Sequence, residues 1–205
     1  MFELHGPLPR PGAPLVVVAV AEEAQAFADR HPTLVAGVGK VRAATATTWA
    51  ALAHQPGVIL NVGTAGALRV GALAAGVVHE IGTVIQHDLD GRAVAELIGH
   101  DPAPPIGLSE SGTVLATGDR FISSPAARDR LAHRAHLVDM EGYAVAAAAR
   151  RVGVPVRLAK IISDDAGHDA ADSWSDALAD ASARLGDWLD ETIPRLRPGA
   201  VESGR

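Results

Sequence analysis

The stretch VDMEGYAVAAAARRVGVPVRLAKIISDDAG, residues 138–167, decides the fold. It reads as strand, acidic turn, alanine-rich helix, strand, acidic turn. A strand over His136–Asp139 ends at Met140-Glu141, and a helix follows over Gly142–Arg151. After the turn at Gly153-Val154-Pro155, a strand over Val156–Ile162 ends at Ser163-Asp164-Asp165. In a right-handed parallel crossover, consecutive strands run the same way and their carboxyl ends share one sheet edge. Open α/β sheets bind ligands at that edge. Two acids delivered there by successive strands predict a catalytic site.

Working outward, Leu15–Ala21 is a continuous apolar run, as expected of a central strand covered on both faces. Glu22–Arg30 has helical periodicity, Thr33–Ala36 reads as a short strand, and Gly37-Val38-Gly39-Lys40 turns into a helix over Val41–His54. Val58–Val62 is a further buried strand, closed by Gly63-Thr64-Ala65-Gly66. Val77–His87 alternates well enough for one long strand, and Asp88–Gly112, with Pro102, Pro104 and Pro105, predicts mostly loop. Thr113–Thr117 is a strand, and Ser124–Arg134 a helix with Pro125 in its first turn. Asp172–Leu196 is a terminal helix. This order predicts a three-layer α/β/α sandwich with a mixed, mainly parallel central sheet. Residues 1–14 are expected to be a flexible lead-in, 15–197 a single domain and 198–205 a disordered tail.

Composition narrows the function. The 205 residues suffice for one domain with a substantial core, which at 48% hydrophobic and 3% aromatic is built from Ala, Val, Leu and Ile. There is no Cys, so disulfide and thiol chemistry are excluded. A net charge of −6 without a basic run argues against nucleic acid or an anionic membrane as partner. Leu15–Ala21 is too short to span a bilayer, and the proline-rich N-terminus does not resemble a signal peptide, so a cytoplasmic protein is expected.

Each acidic turn has a bland reading. Glu22 and Glu23 would favour the positive end of a helix, Asp139 could cap the next helix, and Asp164 or Asp165 could cap a loop. Three acidic turns after strands, beside two Gly-rich turns, favour a shared site instead. Gly37-Val38-Gly39-Lys40 lacks the spacing of a P-loop. Gly63-Thr64-Ala65-Gly66 could present N–H groups and a hydroxyl to a ligand, or simply turn the chain. His87-Asp88-Leu89-Asp90 is not a metal ligand set, and no metal or other cofactor is expected. No GxSxG is present.

Seven motifs then occur in one order. They are Val18-Ala19-Val20-Ala21-Glu22-Glu23, Gly37-Val38-Gly39-Lys40-Val41 and Asn61-Val62-Gly63-Thr64-Ala65-Gly66, then His87-Asp88-Leu89-Asp90 and Thr117-Gly118-Asp119-Arg120-Phe121-Ile122, and finally Asp139-Met140-Glu141-Gly142 and Ile162-Ser163-Asp164. With them the chain resembles the nucleoside phosphorylase/nucleosidase family over roughly residues 15–195, and within it the methylthioadenosine/S-adenosylhomocysteine nucleosidases. The resemblance implies hydrolysis of the N-glycosidic bond of a purine nucleoside. Asp164 would be the acid that protonates N7 of the purine, oriented by Ser163. Glu141 would hold the ribose hydroxyls with Met140 against the sugar, and Glu23 would activate water held by Thr64 and Lys160. Phe121 would stack on the purine while the backbone of Ile122 reads its edge.

Departures from the family pattern bear on the substrate. Val20-Ala21 stand where close relatives often have Met-Glu, Thr64 replaces a Ser, and Gly142-Tyr143 replace smaller residues. Trp174 falls near where an aromatic covers the 5′ substituent in similar proteins; its other reading is an anchor for the terminal helix. The resemblance leaves futalosine hydrolase as a competing activity. A phosphate-dependent phosphorylase is opposed by Asn61, which stands where phosphorylases carry an Arg, with Arg42 the one basic residue nearby. A non-catalytic nucleoside-binding domain would not need Glu23. The implied partner is a small nucleoside, and the family implies a homodimer, with alanine-rich faces such as Tyr143–Ala149 available for the contact.

Overall fold

The computed structural model describes residues 2–167 and 170–196. Strand β1 (Glu3–His5) is followed by β2 (Pro14–Val18), a 3-10 turn over Ala21–Ala24, β3 (Thr33–Val35), α1 (Lys40–His54) and β4 (Val58–Ala67). Next come β5 (Val78–Glu80), β6 (Thr83–Gln86), α2 (Gly91–Ile98), β7 (Ile106–Gly107), β8 (Val114–Thr117) and α3 (Pro125–Ala132). The chain closes with β9 (Leu137–Asp139), α4 (Gly142–Arg151), β10 (Val156–Asp164), α5 (Ala170–Thr192) and a 3-10 turn over Ile193–Arg195.

The expected mixed α/β/α sandwich is what forms. Strands run in the order β1-β3-β2-β4-β9-β8-β6-β7, with β10 pairing β4 and β5. The apolar run in β2 shows why three layers result, because successive strand residues face opposite ways. Leu15 and Val17 pack with Ala43, Ala46 and Ala50 of α1 and Val145 and Ala149 of α4. Val16 and Val18 face the other way, onto Phe27 and onto Ala181, Leu185 and Leu189 of α5. Alanine on α1 and α4 lets both helices lie close to the sheet and to each other. The Tyr143–Ala149 face, expected to be free for a partner, is instead buried within the chain against α1 and the sheet.

The largest difference concerns strand direction. β10 runs parallel to β4, but β9 runs antiparallel to it, through Gly66↔Val138 and Ala67↔Leu137. The two acidic turns therefore do not sit on one edge of parallel neighbours. They converge because β9 and β10 approach the end of β4 from opposite senses, and Gly66 pairs with both Val138 and Asp164. Gly63-Thr64-Ala65-Gly66, read as a turn, is the second half of β4. A register shift between Ile162 and Asp164 makes Ser163 the extra residue of a bulge. Bulges re-aim side chains, and here Ser163 and Asp164 both reach the same cavity.

Other elements differ from expectation for local reasons. Glu3–His5 pairs antiparallel with β3, so the lead-in is not wholly flexible. Ala21–Ala24 form one 3-10 turn where a helix to Arg30 was expected. The single strand predicted over Val77–His87 breaks at Ile81-Gly82, where β5 leaves β10 and β6 joins β8. A side chain at Gly82 would strike the Ser111 carbonyl. The expected loop holds α2, capped by Asp90 Oδ1 accepting from Ala93 N–H at 3.1 Å and stopped by Gly99 at φ 80°. The expected tail, 198–205, lies outside the described residues. No helix among the described residues is long and apolar enough to cross a membrane.

Leu185 is fully buried where α5 covers β2 and β10. Leu185→Ala is expected to cost about 2–5 kcal/mol of unfolding free energy. The measurement is a urea titration, in which the midpoint falls and the slope is unchanged.

Candidate active site

Glu23 sits in the 3-10 turn after β2, yet its side chain does not serve that turn. It is 4% exposed and folds back onto the sheet. Oε2 accepts from Ala19 N–H at 3.0 Å, and Oε1 accepts from Thr64 N–H at 2.7 Å and from Thr64 Oγ1 at 2.9 Å. The adjacent Glu22 is exposed. Gly63 explains how the carboxylate fits, since a Cβ there would lie 2.7 Å from Glu23 Oε1.

Asp139 and Glu141 divide their labour. Asp139 Oδ2 accepts from Gly142 N–H at 2.8 Å, so it takes the helix-start role. Its other oxygen accepts from Thr117 Oγ1 at 2.6 Å, and Lys160 Nζ lies 3.0 Å from Oδ2. Glu141 is thereby released to the cavity, where Oε1 accepts from Gly39 N–H at 2.8 Å. Burial first, and then the Asp139 charge, push Glu141 up to about 8 from the usual 4.5, against Lys160 and the Gly39 N–H.

Lys160 is placed differently from expectation. It is not among the cavity-lining residues but lies 2% exposed beside Asp139. Alternation along β10 is the reason: Ala159 and Ile161 face α5, so Lys160 points with Leu158 toward α4 and β9. Burial works against its charge, but Asp139, Glu23 and Glu141 outweigh that and raise its pKa above the ordinary lysine value.

Asp164 closes the set. Ser163 Oγ donates to Oδ2 at 2.7 Å and Ala166 N–H to Oδ1 at 2.8 Å. Its pKa is raised, because burial outweighs these two donors. Ala166 adopts φ 52° while fully buried, a conformation unusual for a residue with a side chain. Gly66 supplies the room, since a Cβ there would approach Asp164 Oδ1 at 2.9 Å and Ala166 Cβ at 3.2 Å.

A cavity of about 240 Å³ brings these groups together. Glu23, Thr64, Phe121, Ile122, Met140, Glu141, Ser163, Asp164 and Trp174 all line it, so only Lys160 of the expected set does not. Phe121 is 48% exposed at the rim, which excludes a core role. The backbone N–H and C=O of Ile122 make no hydrogen bond among the described residues. Trp174 both lines the cavity and donates from Nε1 to Thr64 Oγ1 at 2.9 Å.

The remaining motifs are scaffold. Lys40 Nζ donates to Asp88 Oδ1 at 2.6 Å and Gln86 Oε1 at 2.7 Å, and Lys40 N–H to Asp119 Oδ1 at 2.7 Å. Asp119 N–H returns to Asp88 Oδ2 at 2.7 Å. This knot fixes the turn whose Gly39, at φ 96°, aims its N–H at Glu141. Tyr143 donates its hydroxyl to Pro104 O at 3.1 Å and so ties the proline-rich segment to α4. Sequence reasoning missed the Gly39 N–H, the Asp139–Lys160 pair and Val38 in the lining.

Residues 28–108 and 108–194 match the Phosphorylase superfamily. The chain belongs to that superfamily. A 5′-methylthioadenosine/S-adenosylhomocysteine nucleosidase of Halalkalibacterium halodurans is 29% identical over 190 residues, covering 80% of this chain and 80% of that protein. Solved structures share the fold. Futalosine hydrolase of Helicobacter pylori strain 26695 superposes with a TM-score of 0.80 at 24% identity, covering 90% of this chain and 98% of its own. A 5′-methylthioadenosine/S-adenosylhomocysteine nucleosidase from Helicobacter pylori gives 0.78 at 22% identity, covering 93% and 100%.

The raised Glu141 carboxyl carries a stability consequence. A group held protonated to about 8 when folded, but ionising near 4.5 when unfolded, stabilises fully below pH 4.5 and loses that contribution as pH rises to 8. Glu141→Gln is therefore expected to melt higher than the parent at pH 9. The gap should shrink toward pH 5 when both are followed by thermal unfolding.

Proposed function

We propose that this superfamily member hydrolyses the N-glycosidic bond of a purine nucleoside carrying a modified 5′ position. The observation that carries the reading is the placement of three differently supported carboxyls around one cavity. Glu23 accepts three hydrogen bonds, Asp164 has its pKa raised by burial, and Glu141 stands opposite the Gly39 N–H.

Each fits one need of an oxocarbenium-like reaction. Asp164 donates its proton to N7 of the purine as the C1′–N9 bond breaks and its electron pair moves onto the base. Burial favours the neutral acid before the step. Glu141 accepts hydrogen bonds from the ribose hydroxyls, which favour its ionised form once sugar is bound, with Met140 beside it. Glu23 takes a proton from the water attacking C1′. The products are the free base and the 5′-modified ribose, and solvent returns the proton from Glu23 to Asp164. Phe121 covers the purine face, and the unpaired backbone of Ile122 is free to read the purine edge.

Water is favoured over phosphate as nucleophile because, among the described residues, no Arg or Lys lines the cavity. Asn61 is buried and donates to Val17 O at 3.0 Å, a strand-bridging role, while Arg42 is exposed on α1. The 5′ group is assigned to the apolar rim of Val20, Val38 and Trp174. Methylthioadenosine and S-adenosylhomocysteine are favoured by the 29% identical relative. Futalosine is the second reading, favoured by fold likeness to its hydrolase. Both use the same three acids. A homodimer belongs to the same proposal, supported by Val38 at 48%, Val41 at 77% and Phe121 at 48% exposure beside the mouth.

The acid role is tested by Asp164→Asn with two leaving groups. Purine release should fall by about 10²–10⁴-fold. Cleavage of 4-nitrophenyl riboside, whose leaving group needs no acid, should be largely retained. Near-parental purine release would remove the assignment.

A further inference from the structure

Trp174 reaches further than the wall of the cavity. An indole nitrogen only donates, so its 2.9 Å approach makes Thr64 Oγ1 an acceptor. The Thr64 proton is then directed at Glu23 Oε1, also 2.9 Å away. Thr64 N–H reaches the same carboxylate oxygen at 2.7 Å. The chain of donors thus has one polarity, from the indole of α5 through the hydroxyl of β4 to the carboxylate behind β2. Glu23 Oε1 accepts twice, whereas Oε2 accepts once, from Ala19 N–H at 3.0 Å. Oε2 is therefore the oxygen with a lone pair to spare.

We propose that Trp174 is a positioning residue for hydrolysis: its indole N–H fixes the Thr64 hydroxyl as a donor to Glu23 Oε1, leaving Oε2 to face the attacking water. This rests on Glu23 as the water base. Without the indole donor, the Thr64 hydroxyl is free to rotate, and its oxygen competes with Glu23 for the water proton. The role differs from an apolar cover for the 5′ group, which any large apolar side chain provides. It also ties α5 to the base.

The variants separate these roles. Trp174→Phe keeps an aromatic wall and loses the N–H, so kcat should fall about tenfold while KM stays within about twofold. Thr64→Val should cause a similar fall, most of which Thr64→Ser, keeping the hydroxyl, should recover. The Trp174→Phe/Thr64→Val double variant should be no slower than the slower single, because the two act as one unit. A raised KM with unchanged kcat in Trp174→Phe, or additive losses in the double variant, would overturn the proposal. A second readout needs no substrate. In a ¹⁵N-labelled sample the Trp174 indole proton should exchange slowly, and Thr64→Val should accelerate it at least about tenfold. Unprotected exchange in the parent would also overturn the relay. An inactive parent with a protected indole would instead count against the proposed function and leave the hydrogen-bond relay standing.

Discussion

Gly63 and Gly66 on β4 leave no side chain where Glu23 and Asp164 place their carboxyl groups, and the cavity depends on that vacancy. A Cβ at either position would lie within 3 Å of a carboxylate oxygen. Both glycines sit inside a strand that pairs with β10, and Gly66 also pairs with β9. β4 therefore does two things at once. It completes the sheet through its backbone, and it makes room for an acid on each flank.

Crowding carboxyls creates an electrostatic problem that the fold resolves from below. Lys160 is buried against Asp139 and near Glu23 and Glu141, which together keep it charged. A buried ion pair of this kind is a poor source of net stability, because desolvating both partners is costly. Its use here is to hold Asp139 in place, where Oδ2 accepts from Gly142 N–H at the start of α4 and leaves Glu141 to the cavity. Glu141 then bears the remaining repulsion and is pushed toward its neutral form. Ionisation of Glu141 therefore works against stability, and strongly perturbed groups of this kind cluster at functional sites.

Much of this was legible in the sequence, for reasons particular to each element. The apolar run at Leu15–Val18 could only be a strand covered on both faces, and the structure divides its residues between α1/α4 and α5. The acids after the strands were visible, and so were their aromatic and hydroxyl companions. Strand direction was not visible, because β9 and β10 are alike in pattern whether they run together or in opposition. The Gly63–Gly66 segment was read as a turn, since glycine usually marks one; here the missing side chains matter more than the freedom of the backbone. Lys160 could have been placed by alternation with Leu158. The Trp174–Thr64 bond joins residues 110 apart, and no local pattern announces it.

The central claim is that these acids drive hydrolysis and do so with water. Its most direct test is chromatography of methylthioadenosine, S-adenosylhomocysteine, futalosine, adenosine and inosine after incubation with the protein, each with and without phosphate. The account predicts free purine at equal rates in both buffers, fastest from a nucleoside modified at the 5′ position. Release that requires phosphate, or no release from any of the five, would contradict it.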